Sequence, residues 1–263
     1  MHLIVLGGSP ASPNPGQGCS GYLVAENDAT LLVDCGPGIL PELLRHRPLD
    51  RLDGIIITHL HQDHVLDLVP LRYGLKYAPG LQKRRVSVWL PPGGLRYLER
   101  LARVLSLDAE SSETFFTETF ALAEYDPDAP LTTAVGHVSF RRTRHWVPCW
   151  ALRIEGQRAT LVYLADTGWD DSLLPFARDA DLLIVEATLF PDAEPAAREG
   201  HLDLLQAIRL ATLSHARRTL ITHYWNSPAT VATLSTVREQ FPGTVELAYP
   251  GLTIAVSPQG GEP

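Results

Sequence analysis

The chain has 263 residues, enough for one large or two small domains at roughly 150 residues each. Its 45% hydrophobic and 20% charged residues exclude a generally disordered, fibrous or membrane-embedded chain. Twenty-two basic against 30 acidic side chains leave a formal net charge of −8, which works against an extended groove for nucleic acid and leaves room for a small phosphate ester.

No apolar run of ~18 residues occurs, and MHLIVLGGSP lacks the basic segment and cleavage site of a signal peptide, so a cytoplasmic protein without a membrane partner is expected. Cys19, Cys35 and Cys149, without CxxC spacing, read as reduced thiols. Short apolar runs at residues 2–6, 22–25, 30–33, 54–57, 86–90, 161–165, 182–185 and 219–222 predict buried strands. Between them, Leu95, Leu98, Leu101, Ala102 and Leu105 mark the buried stripe of one helix, and Leu204, Leu205, Ile208 and Ala211 that of another. Ser227-Pro228 starts a third helix, with Val231, Leu234, Val237 and Phe241 as its inward face. Residues 108–130 show no clean period and are read equally as a lid, an insertion or a plain loop. No linker separates the halves, which predicts one domain over residues 1–263, with sheets covered by helices on both outer faces.

The string Thr58-His59-Leu60-His61-Gln62-Asp63-His64 follows directly on the strand at 54–57. Alternation sends His59 and His61 to one side, and Asp63 and His64 on the following bend reach the same cavity from another direction, so two metal ions can be served. Imidazole and carboxylate suit zinc first, with manganese or iron as alternatives. A dinuclear site needs further ligands, and three other strand-like runs finish on metal-capable residues: His145, Asp166 and His223.

These residues resemble the HxHxDH motif of the metallo-β-lactamase superfamily, a likeness that runs nearly the whole chain. It implies an α+β four-layer αββα sandwich in which His59, His61 and His145 hold one metal, Asp63, His64 and His223 the other, and Asp166 bridges. Asp34 would support the metal loop without ligating, and a hydroxide would sit between the ions. Glu186-Ala187-Thr188 and Gly200-His201-Leu202 resemble the ribonuclease Z branch, although Val185 stands where that branch has a histidine. Ribonuclease Z grips transfer RNA with a long arm, whereas residues 146–165 here read as a plain hairpin around Gly156. The resemblance therefore implies a dinuclear metal-dependent phosphodiesterase of small or cyclic nucleotides, like the small bacterial cyclic-nucleotide phosphodiesterases. The alternatives are an RNA endonuclease, a lactam, thioester or other ester hydrolase, and a metal-binding module without turnover. In the first reading Asp63 or the bridging Asp166 orients the attacking oxygen, while Glu186 and His201 form one proton-donating unit for the leaving group. The sequence is also compatible with a homodimer.

The glycine-rich segment Gly7 to Gly21 and the basic run Arg141-Arg142-Thr143-Arg144 are weaker candidates for phosphate contact, as are Trp146, Tyr224 and Trp225 for stacking on a base. Lys83-Arg84-Arg85 reads as a solvated edge, and His2, His46, His137 and His215 as structural or exposed.

Overall fold

The computed structural model describes residues 1–81, 84–106, 108–238, 241 and 243–258. The apolar runs pair into two seven-stranded sheets. One has the order β14-β1-β2-β3-β4-β5-β6, from β1 (His2–Gly7), β2 (Gly21–Glu26), β3 (Ala29–Val33), β4 (Gly54–Ile56), β5 (Val86–Leu90), β6 (Phe120–Glu124) and β14 (Thr253–Ala255). The other runs β13-β12-β11-β10-β9-β8-β7, from β7 (Leu131–Thr133), β8 (Gly136–Arg142), β9 (Trp150–Glu155), β10 (Thr160–Tyr163), β11 (Leu182–Glu186), β12 (Arg218–Thr222) and β13 (Thr244–Leu247).

Each sheet begins with antiparallel hairpins and ends with parallel strands, β3 to β6 and β10 to β13. Parallel neighbours require crossovers, and these are helical. On the first sheet they are α1 (Leu40–His46), α2 (Gln62–Val65), α3 (Leu68–Tyr77), α4 (Gly94–Leu105) and α5 (Ala109–Thr114). On the second they are α6 (Leu173–Ala177), α7 (Leu204–Leu213) and α8 (Pro228–Arg238). In β2, Tyr22 and Val24 join an apolar cluster shared with the second sheet, while Leu23 joins another with Leu43 of α1, Leu71 of α3 and Leu98 of α4. Both faces of the strand are buried, which is why these strands read as continuous apolar runs rather than alternations. The layers are helix, sheet, sheet, helix, the expected αββα sandwich.

Several local expectations change. Residues 108–130 are not a plain loop: Asp108 caps α5, its Oδ1 accepting from Ser111 N at 2.7 Å, and β6 extends the sheet in parallel beside β5. The helix stripes are narrower than predicted, because Leu95, Leu105, Leu205 and Val231 are exposed while Leu98, Ala102, Leu204, Ile208, Ala211 and Leu234 are buried. The Val237 side chain and Lys83 lie outside the described residues. Ser227 does cap α8, accepting from Thr230 N at 3.2 Å. No helix among the described residues is long and apolar enough to cross a membrane.

Candidate metal centre

The first sheet delivers its ligand-type side chains on one connection. β4 ends at Ile56, the chain runs on through His59, and His61 is the extended N-cap residue of α2, whose first turn carries Asp63 and His64. The loop after β3 and the end of the β1–β2 connection clamp α2 in place: Cys35 N donates to His64 O at 2.7 Å and Ser20 N to Asp63 O at 3.2 Å. A Cβ on Gly36 would stand 1.9 Å from Asp63 O, so only glycine permits this approach. The second sheet supplies its residues at three separate strand ends. Asp34, Ala165 and His223 all have left-handed backbone, with φ of 57°, 52° and 50°. That conformation costs a non-glycine residue about 1 kcal/mol or more, least for Asp, Asn and His, and here it turns the chain sharply off β3, β10 and β12.

All seven sequence-predicted ligands converge in two groups that share Asp166. In the first, His59 Nε2 lies 3.2 Å from His61 Nδ1, which lies 3.1 Å from His145 Nε2. Asp166 Oδ2 stands 3.7 Å from His59 Nε2 and 3.9 Å from His145 Nε2. In the second, Asp63 Oδ2 is 3.0 Å from His223 Nε2 and 3.5 Å from His64 Nε2, and His64 Nε2 is 3.5 Å from Asp166 Oδ1. Asp166 Oδ1 thus faces the second group, while Oδ2 lies between the two, 3.6 Å from His223 Nε2 as well.

The far ring nitrogens decide what the near ones present. His64 Nδ1–H donates to Asp34 Oδ2 at 2.7 Å, and His145 Nδ1–H to Gly200 O at 2.8 Å. His223 Nδ1–H donates to Thr188 Oγ1 at 2.7 Å. Thr58 Oγ1 gives its hydrogen to Asp34 and so accepts from His59 Nδ1–H at 3.1 Å. In each of these four imidazoles Nδ1 is engaged outward, so Nε2 is the nitrogen that faces the cavity. His61 Nδ1 faces both His59 Nε2 and His145 Nε2, and with all three nitrogens unprotonated this group would offer three lone pairs to one cation. His64 Nε2 and Asp166 Oδ1 are buried without a hydrogen-bond partner, an expensive arrangement that ligation would satisfy. The residues fit a pair of divalent cations.

Burial, reinforced by neighbouring imidazoles, holds His59, His61 and His145 below the ordinary histidine range and keeps them neutral. Burial would raise Asp166, but His223, His64 and His59 outweigh it and keep this carboxylate well below its usual range. For His64 burial is likewise outweighed, by Asp166 and Asp34, and the imidazole is pushed well above its usual range.

Beside the second group, Glu186 is fully buried and accepts four hydrogen bonds. Its Oε1 takes Thr167 N at 2.9 Å and His201 Nδ1–H at 2.7 Å, and its Oε2 takes Thr188 N at 3.1 Å and Thr188 Oγ1 at 2.5 Å. Glu186, His201 and His223 also form a cluster with metal-ligand spacing, but the Glu186 oxygens are already committed to donors. Burial would lower the His201 pKa, yet the Glu186 charge and hydrogen bond outweigh it and push it up to about 9. His201 does not open a helix. It lies two residues before the N-cap Asp203 of α7, whose capping box with Gln206 satisfies that helix start. Thr188 and the Gly200 carbonyl were not assigned roles from sequence. Only the spacing of Thr188 two residues beyond Glu186 gave a signal.

The glycine-rich loop, the basic run and Tyr224 resolve as scaffolding. In the loop between β1 and β2, Ser9 N donates to Gly18 O, and Asn14 ties the loop to the segment after His223 through Tyr224 O and Asn226 N at 2.8 and 3.0 Å. The Tyr224 ring is buried, and its hydroxyl donates to Ala248 O at 2.9 Å. Arg141 and Arg142 lie over Phe176 and Trp150, and Arg144 faces Glu199 at 3.8 Å. His46 pairs with Glu42 and His137 meets Thr132.

Residues 29–224 match the family model described as a beta-lactamase superfamily domain. The chain is 34% identical over 227 residues to the probable metallo-hydrolase YhfI of Bacillus subtilis, covering 85% of this chain and 86% of the relative. The crystal structure of YhfI superimposes with a TM-score of 0.83 over 97% of this chain and 99% of that one, at 29% identity. A ribonuclease Z of Salinispora arenicola is 28% identical, covering 98% of this chain and 96% of its own. With the family model, this relative and the αββα layering in agreement, the chain belongs to the metallo-β-lactamase superfamily of metal-dependent hydrolases.

Proposed function

We propose that the protein is a dinuclear metal-dependent phosphodiesterase of small or cyclic nucleotides, with zinc the first candidate ion and manganese or iron next. His59, His61 and His145 would hold one ion, Asp63, His64 and His223 the other, and Asp166 would bridge. When bound, such ions polarise phosphoryl oxygens and lower the pKa of water toward about 7. The observation that carries the phosphodiester reading is the Glu186–His201 pair at 2.7 Å beside His223, because a nucleotide leaving group departs as a basic alkoxide and gains most from a fixed proton donor. The water gives up one proton to solvent as its oxygen bonds to phosphorus, and the phosphorus–oxygen bond to the leaving group breaks. The proton on His201 passes to that oxygen and is replaced from solvent. Asp63 orients the attacking oxygen.

Two further features support a small substrate. The β9–β10 connection is a tight hairpin with no arm for transfer RNA, and the net charge of −8 disfavours a long polyanion. Three buried free cysteines suit a reducing, cytoplasmic compartment. The test is metal analysis of purified protein combined with assays of a bis-aryl phosphate, an aryl monophosphate, a lactam, a thioester and precursor transfer RNA. Two ions per chain and a clear preference for the diester are expected. Activity with one ion or none, or a preference for any other substrate in the panel, contradicts the reading.

A further inference from the structure

Three exposed aromatic rings stand on the loops of the candidate centre, each within two residues of a site side chain: Trp146 after His145, Phe190 after Thr188 and Trp225 after His223. Trp146 is the most open of them, 57% exposed, although an indole offers a large apolar area that water solvates poorly. Its ring centroid lies 5.3 Å from that of His145 and 5.1 Å from that of His201, nearly perpendicular to the latter at 77°. A Cβ placed on Gly200 would meet Trp146 Cε2, Cδ2 and Cζ2 at 2.7, 2.8 and 2.9 Å, so the indole lies face-on against the residue 200 backbone. Gly200 has φ −122°, which any residue adopts, and glycine is needed there only to seat the ring. The Gly200 carbonyl also accepts from His145 Nδ1, which ties the seat of the indole to a metal-ligand side chain.

We propose that Trp146 is a stacking platform for a planar aromatic group on the leaving-group arm of the substrate, a nucleobase in the natural case. The inference rests on the phosphodiesterase reading, because the leaving oxygen must lie beside its proton donor His201, and Trp146 is the exposed ring in contact with His201. In a cyclic nucleotide the leaving oxygen stays on the ribose that carries the base, so both are held on the same side of the site. The neighbouring cation Arg144 faces Glu199, which leaves an aromatic face, not a second phosphate clamp, as the recognition element at this edge.

The experiment compares kcat/KM of metal-loaded protein on a 3′,5′-cyclic purine nucleotide and on its base-free analogue, the cyclic 3,5-phosphate of methyl riboside. Stacking of one base on an aromatic side chain predicts a preference of roughly ten- to hundredfold in the wild type. Trp146→Leu keeps apolar cover over Gly200 without a π face and should collapse that ratio toward one, whereas Trp146→Tyr should retain most of it, with metal content measured for each. Without any variant, adenosine should inhibit the wild type at a concentration at least tenfold below methyl riboside. A wild-type ratio near one, or a Trp146→Leu protein slowed equally on both substrates, overturns the platform and leaves the phosphodiesterase reading standing. A wild type that hydrolyses neither diester overturns that reading and the platform with it.

Discussion

Glu186 illustrates how one side chain serves two others. Its Oε1 fixes His201, and its Oε2 accepts from Thr188 Oγ1, which in turn accepts from His223 Nδ1–H. The proposed proton donor and one ligand-type imidazole therefore hang from one buried carboxylate. His201→Ala and Glu186→Gln should each slow an alkyl-leaving diester by ~10²- to 10⁴-fold, and the double mutant should lose little more than the worse single one. A nitrophenyl diester, whose leaving group needs little protonation, should slow far less. Equal losses on both diesters would show that the proton comes from elsewhere. Thr188→Val removes the hydroxyl that orients His223 while preserving shape. We expect ~10- to 100-fold weaker metal retention against a chelator, restored by Thr188→Ser. Unchanged retention in Thr188→Val would confine Thr188 to packing. The part played by Thr188 was not legible in the sequence, because it depends on β11 and β12 being parallel neighbours in the register Glu186↔Thr222, and pairing partners are not written in either strand alone.

Elements end where the chemistry begins, and this is why so much of the centre could be read from sequence. Strands buried on both faces appear as short apolar runs, and a polar residue at their end stands out: Asp34 after β3, Asp166 just beyond β10, His223 after β12. What could not be read lies at the margins of elements. Leu205 and Val231 have the spacing of inward residues yet fall on the exposed edge of their helices, because the apolar character of a leucine or valine does not reveal how far a neighbouring layer extends. Residues 109–114 form a short helix too polar to show a period, and 120–124 an edge strand too short to be told from a helical turn by its apolar residues. Glycines separate close approach from backbone freedom. Gly36→Ala would drive a Cβ into Asp63 O and should cost ~2–4 kcal/mol in denaturant unfolding while displacing Asp63 and His64, so that metal content also falls. Gly16, at φ +74° with nothing within 4 Å of its Cβ position, offers the control: Gly16→Ala should cost about 1 kcal/mol and leave metal content unchanged. Similar behaviour of the two variants would refute the close-approach argument.

At the scale of the molecule, the two sheets share no strand pairing among the described residues and meet through side chains, in an apolar cluster that joins Leu3, Val5, Tyr22 and Val24 to Leu152, Ile154 and Leu161. The candidate centre lies across this same division. His59, His61, Asp63 and His64 come from the first sheet, and His145, Asp166 and His223 from the second. Asp34 and Tyr163 link the halves underneath, the tyrosine hydroxyl donating to Asp34 Oδ2 at 3.2 Å. Ions held by ligands from both sides therefore bind the folded chain and have no equivalent site once the sheets part, which stabilises the native state by RT ln(1 + [L]/Kd). At a free metal concentration one hundred times Kd this is about 2.7 kcal/mol per site, and at ~2–4 °C per kcal/mol for a chain of this size, one site raises Tm by roughly 5 to 10 °C. Calorimetry of metal-loaded and chelator-stripped protein should thus show a single transition that moves down as a whole on stripping, because neither sheet keeps its inner face covered without the other. His61→Ala should lower the midpoint of loaded protein toward the stripped value while hardly moving the stripped midpoint, since its half-buried ring contributes little to the apolar core. Two separate transitions, with only one sensitive to metal, would mean that the halves fold as independent units and that the ions do not tie them together.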